Sequence, residues 1–166
     1  MSDTPALHDA RAVANEIIRY GQQRGQRFTV MQLIKLVYLV QGWGLALLDR
    51  PIIRQNVQAW QYGPVYPHIY KPLSRFGSAP VHDVIVDKAS GLPFSEAFGA
   101  DETELIHTVV DQYGKMHAFT LSSLMHKPGT PWTEIFTTAG PYKDIPNDLI
   151  KRHFVSLRDE RAVAAG

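Results

Sequence analysis

Leu7, Ala10, Ala14, Ile17, Ile18 and Gly21 recur at helical spacing. They predict an amphipathic helix over 5–24, with Thr4 as N-cap, Pro5 at the first helical position and Gly25 as terminator. A second helix opens at Thr29, where Gln32 completes a capping-box pattern, and it is apolar nearly all round from Val30 to Leu48. A helix of that kind belongs at the centre of a domain, packed on most sides by others. Gly42 and Gly44 each cost about 1 kcal/mol relative to alanine there, and close approach of another backbone is the expected recompense.

The period then changes. Arg54, Asn56 and Gln58 alternate with Ile53, Val57 and Ala59, a strand signal over 53–60, and 81–87 is a second β-rich run. Pairing of the two as an antiparallel ribbon makes the stretch between them an excursion. In that excursion Gly63-Pro64 reads as a turn into a short or kinked helix, since Pro72 removes an interior hydrogen bond. Residues 88–100 read as a loop. Asp101 with Glu104 repeats the cap pattern before an amphipathic helix that ends at Gly114. Thr120, stapled by Phe119 and Leu124, starts a short helix that stops at Pro128-Gly129. Thr130-Pro131 begins another that Gly140 closes. A last helix covers 147–159, and 162–166 reads as a frayed tail. The expected fold is mainly α with a small antiparallel β-ribbon, one compact helical domain over 1–160 with a flexible tail at 161–166.

Composition narrows the chemistry. At 166 residues the chain fits one domain with a substantial core. The absence of cysteine excludes disulfides and thiolate sites and fits a reducing, cytoplasmic setting. No secretory signal opens the chain, and Gln32, Lys35 and Gln41 interrupt its longest apolar stretch, so no membrane span is expected. Basic and acidic residues are nearly balanced and evenly spread, which argues against dense phosphate contact and a nucleic-acid partner.

Catalytic patterns are missing. The seven histidines include no pair four apart and no His-Glu-x-x-His pattern, so no metal is expected. Gly-x-Ser-x-Gly, Gly-x-x-x-x-Gly-Lys and Gly-x-Gly-x-x-Gly are all absent, and no cofactor is expected. Glu102, Glu104 and Asp111 share one helix, where capping and a solvated face account for them. The chain reads as a binding protein and not an enzyme. A hydrolase with an unrecognised site and a DNA-binding regulator, using the helix that opens at Thr29, are the alternatives from other classes.

Two stretches together carry a resemblance. Lys35-Leu36, Tyr38 and Gln41-Gly42-Trp43 are followed by Ala59-Trp60-Gln61-Tyr62-Gly63-Pro64-Val65 and by Tyr66 and Tyr70. Leu124-Met125-His126 then precedes Pro131-Trp132. The arrangement resembles the SocA-like antitoxins, the Panacea domain, related to the phage-associated GepA proteins. It departs from them at Met125, where relatives commonly carry threonine, and at Pro72. The resemblance implies a protein that neutralises a cognate toxin encoded beside it. In the founding type it does so as a proteolytic adaptor that presents the toxin to the ClpX unfoldase of the ClpXP protease; other members act by direct binding. It singles out Lys35, Tyr38, Trp60, Tyr62, Val65, Tyr66, His68, Tyr70, His126 and Trp132 as partner-binding residues. Each can also serve packing. A contact role is best suited to Tyr62, Val65, Tyr66, His68 and Tyr70, which cluster beside a turn, and truncating Tyr66 or Tyr70 is then expected to spare stability. The alanine-rich tail also resembles sequences read by AAA+ unfoldases.

Overall fold

The computed structural model describes residues 5–165. Among them the chain forms seven α-helices and a three-stranded sheet, mainly α with a small antiparallel β element, as the patterning implied. The order is α1 (Ala10–Gln23), α2 (Val30–Leu47), β1 (Gln58–Trp60), β2 (Gly63–Val65), α3 (Pro67–Leu73) with a 3-10 turn (Ser74–Phe76), α4 (Ala100–Tyr113), α5 (Ala118–Met125), α6 (Pro131–Thr138), β3 (Lys143–Asp144) and α7 (Asn147–Ala165).

α2 is the axis. Its capping box forms: Thr29 Oγ1 accepts from the Gln32 N–H at 3.2 Å, and Gln32 Oε1 accepts from the Thr29 N–H at 2.9 Å. Around it pack α1, α3, α4, α5 and α7. The helix is long and apolar enough to cross a membrane, yet 83 % of it is buried inside the fold. Its glycines admit side chains rather than the backbone expected from the sequence. A Cβ at Gly42 would lie 2.3 Å from the Phe154 ring, and one at Gly44 would lie 2.4 Å from Ile52. Gln41 is buried beside them and uses its Oε1 to accept the N–H groups of Ile52 and Ile53 at 3.0 and 2.9 Å, so this polar residue fixes the chain leaving the helix.

Several local expectations are corrected. The Thr4 cap lies outside the described residues, and α1 starts only at Ala10, capped by the Asp9 carboxylate, which accepts the Arg11 N–H at 2.8 Å. The preceding His8 is committed to a bridge with Ile53, so the chain is extended there. α4 begins one residue before Asp101, and Glu102 reaches back to accept the Gly99 N–H at 2.8 Å. α5 starts before Thr120, with His117 as its cap, and Phe119 stands 76 % exposed instead of forming a staple. α7 continues past Asp159 to Ala165; Arg161 lies 4.8 Å over the Trp43 ring and donates to the Tyr113 hydroxyl at 2.8 Å.

The sheet is also built differently. Its order is β2-β1-β3, with Trp60 opposite Gly63, Ala59 opposite Pro64 and Gln58 opposite Val65. The run 81–87 does not pair with β1. Val81 instead makes a bridge to Phe28, and the buried side chain of Asn15 bonds the N–H and C=O of Ile85 at 2.7 and 2.9 Å. A side-chain amide has satisfied the backbone groups that a ladder would have used. Pro64 is a strand residue at the sheet edge, where its missing N–H is tolerated, and Pro67 begins α3. That helix is short, contains Pro72 and tightens into the 3-10 turn.

Candidate functional site

The two-residue connection Gln61-Tyr62 folds β2 back onto β1, and Gly63 supplies the positive φ of 117° that closes the hairpin. Side chains from α5 and α6 hold this turn. Ser122 Oγ donates to the Tyr62 carbonyl at 2.9 Å, Nε2 of His126 lies 3.2 Å from the Gln61 carbonyl, and Trp132 Nε1 donates to the Trp60 carbonyl at 2.6 Å. The His126 and Trp132 rings meet at 4.0 Å, and Trp132 stacks on Phe136 at 4.7 Å.

Outward, the hairpin displays rings. Trp60 is half-buried, and its indole N–H is spent on Gln58 Oε1 at 2.9 Å. Tyr70 and Tyr142 stand against it edge-on at 5.3 and 5.5 Å. With Met31, Gln61, Tyr62 and Val65 they line a groove of about 260 Å³. Tyr62 and Tyr142 are each 64 % exposed and Tyr70 is 37 % exposed. His68 is exposed on α3, outside the lining of the groove. Tyr142 escaped the sequence reading because it lies far from the motif in the chain, and Met31 because it stands on the all-round apolar α2, where periodicity does not mark which residue reaches the surface. Tyr142 arrives by way of β3, where its N–H donates to the Ala59 carbonyl at 2.7 Å, and its φ of 65° is unusual for a residue with a side chain.

The other half of the predicted site faces inward. Lys35, Tyr38, Val65 and Tyr66 are all at most 2 % exposed, and Trp132 is 8 % exposed. Val65, though almost fully enclosed, reaches the floor of the groove, and the chain entering α3 places Tyr66 in the core. Burial, reinforced by the neighbouring Tyr38, pushes the Tyr66 phenol far above its ordinary range, and burial raises Tyr38 likewise. Tyr38 also borders an apolar recess of about 220 Å³ shared with Met125, Pro131 and Phe154. Burial holds the Lys35 ammonium down to about 8.

Ser122 Oγ and His126 Nδ1 lie 3.2 Å apart, the spacing of a nucleophile and its base. The same nitrogen is closer, at 2.6 Å, to the Ser122 carbonyl, which a protonated Nδ1 satisfies as donor. It then has no lone pair with which to take the serine proton. The pair acts as a clamp on the turn. Among the described residues no group of three or more histidine, aspartate or glutamate side chains is arranged to hold a metal ion.

The fold is an α-helical domain that presents an aromatic hairpin at its surface. The profile of the SocA-like antitoxin family, Panacea domain, matches residues 33–133, a span that runs from α2 through the hairpin to His126 and Trp132. Antitoxin SocA of Caulobacter vibrioides is 31 % identical over 144 residues, which cover 84 % of this chain and 77 % of that protein. No solved structure matches. The chain belongs to the SocA-like antitoxin, Panacea-domain, family.

Proposed function

We propose that this protein is the antitoxin of a toxin–antitoxin pair and neutralises its cognate toxin by binding it as a polypeptide. The observation that carries this reading is the exposed ring cluster of Trp60, Tyr62, Tyr70 and Tyr142 around one groove. Tyrosine and tryptophan offer large contact area with few rotatable bonds and dominate binding hot spots. The groove is the centre of a footprint of roughly 1,600 Å² in total, so α3 with His68 and the β3 edge contribute its rim. Val65 floors the groove, His126 and Trp132 hold the hairpin, and Lys35, Tyr38 and Tyr66 are enclosed beneath the surface. By family resemblance the bound toxin is then handed to ClpX for degradation by ClpXP, and this chain is an adaptor that supplies recognition and no chemistry.

Co-expression with the neighbouring reading frame, in cells with and without ClpXP, tests this. The expected result is rescue of growth, with the toxin protein depleted only where the protease is present. Rescue that persists without the protease, at undiminished toxin level, assigns neutralisation to sequestration. Tyr62→Ala and Tyr70→Ala are expected to weaken toxin capture about tenfold or more each, the scale of a hot-spot truncation. Their melting temperatures stay at the parental value. Unaltered capture by both variants would sink the surface assignment.

A further inference from the structure

A lysine on a helix ordinarily lays its stem along apolar surface and leaves its ammonium in water. Lys35 does not. It is 1 % exposed, and its Nζ has no hydrogen-bond partner among the described residues. An unpaired buried charge opposes folding, and a methionine would fill similar space without that cost. The lysine therefore calls for a role outside the resting fold.

Its surroundings indicate what it meets. The roof over Nζ is Gly63: a Cβ there would lie 3.1 Å from Nζ and 3.4 Å from His126 Cε1. His126, an imidazole whose nitrogens face the Ser122 and Gln61 carbonyls, has no negative charge to offer the ammonium. The tip of the same turn is Tyr62, the exposed ring at the mouth of the groove. The α5 residue Ser122 ties the turn down through the Tyr62 carbonyl, and the ring of His126, the residue that ends α5, lies against it with Nε2 3.2 Å from the Gln61 carbonyl. A partner that grips Tyr62 thus pulls on the lid over Lys35.

We propose that Lys35, beneath Gly63, is the seat for one carboxylate of a bound polypeptide, reached when the 61–63 turn lifts from α5. This inference rests on the reading of the aromatic groove as the partner surface. A carboxylate fits because the site offers the single charge of one ammonium, whereas a dianionic phosphate would be left half neutralised. Formation of the pair repays the desolvation already suffered by the lysine, so the resting fold stores part of the cost of binding.

The test uses free anions and no toxin, so its failure is separable from failure of the partner reading, which toxin capture by the Tyr62 and Tyr70 variants decides. Uniformly 13C,15N-labelled protein is titrated with acetate, with inorganic phosphate and, at matched ionic strength, with chloride, and the Lys35 side-chain and Gly63 amide resonances are followed. Acetate is expected to give a saturable shift at both, and to raise the Lys35 midpoint from about 8 toward its ordinary 10.5. Chloride gives neither, and Lys35→Met abolishes the Gly63 response. Ser122→Ala frees the turn and strengthens acetate binding several-fold. Absence of a saturable acetate shift in the parent protein, a response to phosphate alone, or a Ser122→Ala variant no tighter than the parent overturns the proposal. The parent titration decides even if Lys35→Met fails to fold.

Discussion

The indole N–H of Trp132 donates to the main-chain carbonyl of Trp60 at 2.6 Å, which joins α6 to the inner strand of the sheet across 72 residues of sequence. One of these tryptophans is buried and the other borders the surface groove, so the bond couples core packing to the placement of the exposed rings. The shared residue type conceals a division of labour: Trp132 anchors, and Trp60 is displayed.

Trp132→Phe keeps most of the ring and removes the donor. The Trp60 carbonyl then loses its α6 partner, at a cost of about 0.5–1.5 kcal/mol for a part-buried hydrogen bond. Urea denaturation is expected to show a lower midpoint with an unchanged slope, accompanied by weaker toxin capture because the hairpin loses its tether. A variant with parental stability and parental capture would show that the bond does not position the hairpin.

Tyr66 separates ring from hydroxyl. Its ring is fully enclosed, and its hydroxyl has no hydrogen-bond partner among the described residues. Tyr66→Phe is therefore expected to be as stable as the parent or more stable, by up to about 1–3 kcal/mol, the cost of an unsatisfied buried polar group. Tyr66→Ala is expected to lose about 3–5 kcal/mol, as for other large aromatic truncations. Thermal and chemical denaturation of the pair decides the matter. A stable Tyr66→Ala would return this residue to the contact surface.

Gly42 is a packing glycine. Its absent Cβ would sit 2.3 to 2.5 Å from three atoms of the Phe154 ring. Gly42→Ala gains helix propensity of about 1 kcal/mol but must displace that ring, and overpacking of this kind costs about 1–3 kcal/mol. Net destabilisation is expected, relieved when Phe154→Leu is added. A double-mutant cycle measures the coupling; strictly additive effects would mean that the ring moves aside freely.

Lys35 makes stability depend on alkaline pH. Its folded midpoint, about 8, lies below the ordinary 10.5, so between those values the unfolded chain binds more protons than the native one. The penalty for burying the ammonium is fully present below pH 8 and fades as pH rises toward 10.5. Lys35→Met is expected to be more stable than the parent at pH 7, with the advantage narrowing across that window. Denaturation midpoints at several pH values read this directly, and a less stable Lys35→Met at pH 7 would assign the lysine a structural role.

Much of the helical framework was legible in the chain. Thr29 and Gln32 marked the start of α2, its all-round apolar surface marked the centre of the domain, and Thr130-Pro131 marked the start of α6. These signals are local: a cap, a period and a breaker act within one or two turns of the residues that carry them. The motif that resembled the SocA-like antitoxins was legible for a related reason, because it is compact in sequence on α2 and the β1–β2 hairpin.

Tertiary structure alone decided which motif residues face out. Tyr62 and Tyr66 are four positions apart and chemically identical, yet one is 64 % exposed and the other fully buried, because a hairpin and a helix start intervene. The strand partner of β1 was likewise settled elsewhere, by the buried amide of Asn15, which takes the backbone bonds of the rival segment. Tyr142 joins the rings only because β3 pairs with β1. Periodicity reports how a residue stands relative to its neighbours in the chain; which side of the molecule that becomes depends on contacts between segments that sequence spacing does not encode.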